Sequence, residues 1–234
     1  MDKELDFHTY LFFGLKKISI ITTQNNPFKK VYEETLLNEN SSLKLDYSLL
    51  DEFLEKNILK IEKKIGNFIK NISLIIDSED FNPIQISVKG NNFGDLINLD
   101  NIIYLLNDAK EQCKKNFEGK KIIHMIIDSY LIDGKTYNYL PKEVKCSDVS
   151  LSIRFICLSD KIVKHIEMIL KKYQILLNNI ISANYALKLF DNKEQDFSLI
   201  AKEIINGYNQ NEIQLVSKKP KNPGFFEKFF NLFN

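Results

Sequence analysis

The 234-residue chain has no tryptophan, a single arginine (Arg154), five prolines, eight glycines and three cysteines. The glycines never gather into GxGxxG or GxxxxGK[ST], so no phosphate-cradling loop is legible. Cys113, Cys146 and Cys157 are odd in number and widely spaced, with no CxxC pair and no histidine at ligand spacing. That excludes a disulfide framework and a zinc site, and fits a reducing compartment. Charge of one sign is also lacking: 32 basic against 31 acidic side chains leaves a net +1. Without a basic excess or a local patch, nucleic acid is not expected as a partner. No apolar run approaches the ~20 residues of a spanning helix, and Met1-Asp2-Lys3-Glu4 is acidic where a signal peptide is basic. Neither export nor a transmembrane segment is expected.

What is present is an alternation of strand and helix signals. Tyr10 to Thr23 reads as a β-hairpin around Gly14, and Phe28 to Leu37 as a third strand. Asp46 is a good N-cap for a long helix reaching about Asn71, with Leu50, Phe53, Leu54, Ile58, Ile61, Ile65, Phe68 and Ile69 on its apolar stripe. Ile72 to Ile76 is a continuous apolar run, the signature of a buried central strand. A strand at Ile84 to Val88, a helix over Leu99 to Phe117 and strands at Lys121 to Asp133 and Asp148 to Leu158 then form a strand-helix-strand-strand module. A helix from Asp160 through Tyr173, a strand at Ile175 to Ile181 and a short helix at Ala183 to Phe190 follow. Two further strands are expected at Phe197 to Ile205 and Glu212 to Val216. The fold class is α/β.

Ser217 to Gly224 has linker composition, with Lys218, Lys219 and Lys221 beside two prolines. On a helix, Phe225, Phe226, Phe229, Phe230, Leu232 and Phe233 occupy roughly a 160° arc that no polar residue interrupts. Such a face is a last core helix or a membrane-surface anchor, and the preceding linker favours the anchor, with the three lysines drawing it to anionic lipid. The acidic loop Asp77, Glu79, Asp80 fits no cation-binding spacing and reads as a solvated turn. Cys157 and His165 suggest a nucleophile and base, but Cys157 lies on the apolar phase of its strand and no orienting carboxylate is evident, so no catalytic residue is assigned.

The stretch Ile122 to Leu187 resembles FtsA, the actin-like bacterial cell-division family. The family strand H-x-I-P-x-x-Y-x-I-D is matched by His124, Ile126, Tyr130, Ile132 and Asp133, and the loop that follows by Pro141, with Ile153 and Ile156 on the next strand. The resemblance implies one half of an actin-like ATPase fold, ribonuclease H-like with a mixed sheet. It spans residues 1–80 and 158–216, with 81–157 as the inserted subdomain 1C module, 217–224 as linker and 225–234 as amphipathic membrane helix.

That family binds ATP through two glycine-rich loops and a second half. Here the first loop would fall at Phe13-Gly14-Leu15-Lys16-Lys17 and the second at Lys202 to Gly207, where neither a metal-holding carboxylate nor a glycine cradle stands. The resemblance therefore implies a nucleotide-free, non-enzymatic adaptor without cofactor or metal. It would sit on the cytoplasmic face of the inner membrane at the division site, held by lipid contacts. Its partners would be a full-length FtsA-like protein, FtsZ or later division proteins, with self-association. The alternatives are a diverged actin-fold ATPase using residues near Gly14 and Gly207, and an actin-like component of a pilus or secretion platform.

Overall fold

The structure, a computed structural model, describes residues 6–25, 27–38, 44–97, 99–190 and 196–213. In chain order its elements are β1 (Phe7–Gly14), β2 (Lys17–Asn25), β3 (Phe28–Leu37), α1 (Tyr47–Ile65), β4 (Asn71–Asp77), β5 (Asn82–Asn91) and α2 (Leu99–Asn116). There follow β6 (Lys120–Ile132), β7 (Lys135–Tyr137), β8 (Asp148–Ser159), α3 (Asp160–Lys172), β9 (Leu176–Ser182), α4 (Ala183–Leu189) and α5 (Phe197–Ile205). The described residues fall into two compact units, those up to Asp80 with 161–208 and those of 81–160 with 209–213.

The first unit is built on a mixed five-stranded sheet in the order β3-β2-β1-β4-β9. β1, β2 and β3 form an antiparallel meander, while β4 and β9 run parallel to β1. β4 is buried along its whole apolar run because both faces of a parallel strand are covered. α1 begins where the Asp46 carboxylate accepts from Leu49 N at 3.0 Å. It stops at Ile65, short of the expected Asn71, because Gly66 takes a left-handed φ of 67° and its N–H closes onto Glu62 O. Phe68, assigned to the helix stripe from its spacing, is consequently 76% exposed in the connecting turn.

Residues Phe197 to Ile205 form α5, not the strand expected from their apolar run. Asp196 caps the helix through Ser198 N, and Ile200, Ala201 and Ile204 are its buried face. That spacing is helical, and the cap decides between two readings of an apolar nonapeptide.

The second unit is an antiparallel sheet in the order β5-β8-β6-β7 with α2 packed on one face. Alternation runs along β8 as far as Cys157, with Val149, Leu151, Ile153, Phe155 and Cys157 buried and Ser150, Ser152, Arg154 and Ile156 half-exposed; Leu158 beyond it is buried as well. Gly90 of β5 lets α2 come close, since a Cβ there would stand 3.2 Å from Leu105 Cδ2. The predicted strand over Glu212 to Val216 is described only as far as Ile213, and it belongs to this unit. Ile127 N donates to Asn211 O and Ile213 N to Met125 O, so 211–213 lies along the edge of β6. Ile213 is 1% exposed and part of the module core.

Candidate functional site

Of the four positions marked by the family pattern, His124 and Tyr130 are buried in the module, Pro141 is half-buried and Asp133 is exposed. His124 is 2% exposed and its Nδ1 stands 2.7 Å from Glu212 Oε1, an acid brought from 88 residues away. Tyr130 is wholly buried, its hydroxyl has no hydrogen-bond partner among the described residues, and burial pushes its pKa up to about 12. Asp133 and Gly134, at φ 43° and 79°, make the two-residue turn between β6 and β7. The Asp133 carboxylate accepts from Ser147 N and Asp148 N at 2.9 to 3.1 Å, which ties this turn to the start of β8. Pro141 is half-buried in the loop between β7 and β8, whose Leu140 and Val144 pack on the core. All four shape the module, and His124 and Tyr130 are too deep to touch a partner.

At the β1–β2 end of the first unit, where the first glycine loop was expected, side chains pack closely. The two-residue link Leu15-Lys16 joins β1 to β2, and Gly14 pairs with Asp77 of β4. A Cβ at Gly14 would already meet Phe12 at 2.9 Å and Asp77 at 3.0 Å, so no open cradle stands there. Phe12 packs on Phe197 of α5 with ring centroids 5.7 Å apart, and Lys17 lies 4.9 Å over the Phe12 ring. Lys202 to Gly207, where the second glycine loop would fall, is instead the last turn of α5 and its cap at Asn206. Aromatic rings, the Asp77 carboxylate beside Gly14 and the end of α5 thus stand where the two glycine loops were expected.

A polar cleft of about 460 Å³ in the first unit escaped the sequence reading; Tyr47, Asp51, His165 and Lys172 are among its lining residues. His165 stacks on Tyr47 at 4.0 Å and 12°, and Asp51 takes both the Lys172 ammonium and the Tyr173 hydroxyl. The Lys172 ammonium holds the Asp51 carboxyl below the usual carboxylate range. Its groups are engaged with one another, and no nucleophile is aligned with a base. Cys157 lies 3.9 Å from Cys113 in the module core, where burial and the neighbouring thiol push it up to about 12. Among the described residues no cluster of His, Cys, Asp and Glu is disposed to hold a metal.

The anchor residues Lys218, Lys219, Lys221, Phe225, Phe226, Phe229, Phe230, Leu232 and Phe233 lie outside the described residues. No helix among the described residues is long and apolar enough to cross a membrane.

No protein-family model matches the sequence, and no curated protein matches it. Among solved structures the chain is similar to a PilM–PilN type IV pilus biogenesis complex, at 8% identity and a TM-score of 0.48 over 78% of this chain and 49% of that one. It is similar to the cytoplasmic domain of EpsL, an inner membrane component of the type II secretion system of Vibrio cholerae, at 10% identity and 0.40 over 77% and 59%. A third likeness is a Bacteroides thetaiotaomicron protein with actin-like ATPase fold and unknown function, at 14% and 0.30 over 79% and 55%. The chain spans about half the length of these chains. The actin-like assignment rests on the strand order, a three-stranded meander extended by two parallel strands after helical crossovers.

Proposed function

We propose that this chain is a non-catalytic adaptor: an actin-like half whose inserted module serves a protein assembly at a membrane surface, to which residues 225–234 attach it. The observation that supports the reading is the crowding at the β1–β2 end, where Phe12 packs on Phe197, Lys17 lies over the Phe12 ring and no glycine cradle stands. As assembly class we take a pilus or secretion platform, the class named for two of the solved chains above. A cell-division role is the second reading, favoured by the match of Asp133 and its turn to the family pattern. Its buried positions His124 and Tyr130 mark a module core, and a core pattern says little about a partner.

Thermal unfolding of the purified chain with and without magnesium-ATP tests the first part, and no shift is expected; a magnesium-dependent rise in Tm restores the ATPase reading. Co-sedimentation with anionic liposomes tests the second part. Wild type pellets and the Phe229→Asp/Phe230→Asp double variant stays in solution; equal behaviour of the two removes the anchor. Partners captured by in-cell cross-linking then separate the two assembly classes.

A further inference from the structure

The module's sheet ends on one side in β5, and among the described residues no strand covers its outer edge. Other sheet edges carry a protective device. β3 has Lys29, Lys30, Glu33 and Glu34, β9 pairs with a register shift, and the outer side of β6 is capped by β7 and residues 211–213. Such charges, bulges and caps are how proteins keep edges from pairing with other chains. β5 has almost none of this. Its ten residues pair with β8 in one unbroken register from Asn82↔Cys157 to Asn91↔Asp148. Its single charge, Lys89, is already matched by Asp148 at 3.1 Å. Ile84 and Ile86 are only half-buried on the core face, as they would be with one neighbouring strand missing.

The direction of the backbone groups follows from the ladder. Asn92 N donates to Ser147 O at 2.7 Å, one step beyond Asn91↔Asp148. Hydrogen bonding alternates along an antiparallel pair, so the even positions Ile84, Ile86 and Val88 turn their amides to β8. Pro83, Gln85, Ser87 and Lys89 direct theirs off the sheet. Pro83, which has no N–H, falls in the outward set, where proline breaks no ladder bond.

We propose that this edge pairs with β5 of a second copy of the chain, antiparallel and two-fold about Ser87, joining two four-stranded sheets into one of eight. In that register Ser87 faces its own counterpart and Gln85 faces Lys89 of the other copy, so no like charges meet. Ile86 faces Val88, and Ile84 faces Gly90. Three outward pairs, 85 with 89, 87 with 87 and 89 with 85, exchange six backbone hydrogen bonds. The sequence is thus complementary to itself about one residue, which an edge meant for an unrelated peptide does not require. A two-fold contact of this kind closes on itself and yields a dimer, not a filament.

The test is sedimentation velocity on the full chain up to about 200 µM, because two ten-residue strands make a small interface of the transient class. A concentration-dependent dimer is expected. Ser87→Pro removes an outward amide from each copy without touching the β8 ladder, and weakens the dimer about thirtyfold. Ser87→Lys keeps the backbone intact, sets two lysines face to face and weakens it severalfold, with recovery in high salt. The three native cysteines are buried, so introduced thiols report alone. Ser87→Cys forms an intermolecular disulfide under mild oxidation, since Cα atoms of a hydrogen-bonded pair lie about 5.5 Å apart. Gln85→Cys does so only when mixed with Lys89→Cys. A chain that stays monomeric at 200 µM overturns the proposal, as does a dimer indifferent to both Ser87 variants or cross-links that ignore this register.

Discussion

Replacing Ile213 by alanine tests whether the module is finished by a segment lying far outside its own sequence. Ile213 is 1% exposed in the module core, and its N–H donates to Met125 O at 2.8 Å. Truncating a fully buried isoleucine removes its transfer free energy and leaves a cavity, a cost of about 2–5 kcal/mol. A unit of this size has only about 4–12 kcal/mol of stability at ordinary values per residue. The loss is therefore a large fraction of the whole and is confined to one unit. Hydrogen exchange read by mass spectrometry resolves this, because peptides covering β6 and β8 report the module while those covering β1 and β4 report the other sheet. Each 1.4 kcal/mol is tenfold, so module amides that open only with the module exchange roughly 30- to 4,000-fold faster in Ile213→Ala. Peptides from β1 and β4 keep their wild-type rates. An acceleration in β6 below tenfold would refute the reasoning and make 211–213 an ornament on the edge.

Three further outcomes follow from particular contacts. Gly90→Val places methyl groups against Leu105, 3.2 Å from the new Cβ, and destabilises the module by about 1–3 kcal/mol in denaturant unfolding. Asp51 has its carboxyl held below the ~3.9 of an unfolded chain, so its contribution is complete above that pH and disappears as pH falls through the lower folded value. Asp51→Asn accordingly lowers Tm near neutrality and flattens the fall of Tm in acid, read by calorimetry between about pH 6 and 2. All three thiols are buried and shifted upward by burial, so an aromatic disulfide reagent at pH 8 labels them only after denaturation. Rapid labelling of the native chain would show that the module core opens.

The sequence exposes what is local and hides what is distant. The β8 alternation, the α2 stripe and the buried run of β4 are signals that depend on one chain segment, and each element stands where its pattern lies. Phe197 to Ile205 is ambiguous because nine mostly apolar residues satisfy a buried strand as well as a helix, and the N-cap at Asp196 decides for the helix. Gly66 similarly ended α1 earlier than the apolar stripe suggested. Nothing local to His124 announces Glu212, since the pair exists only once the chain has returned across 88 residues. The same holds for the Asp51, Lys172 and Tyr173 cluster, assembled from α1 and the end of α3.

The late arrival of residues 211–213 also sets a timetable for synthesis. The chain passes from the first unit to the second, back to the first and again to the second, so neither unit is complete until most of the polypeptide exists. At 5–20 residues per second, β6 waits roughly 4–17 s on the ribosome for the strand that caps it. Through that interval the backbone of Met125 and Ile127 and the ring of His124 lack their native partners, and any chaperone that recognises open β-edges has its natural client there.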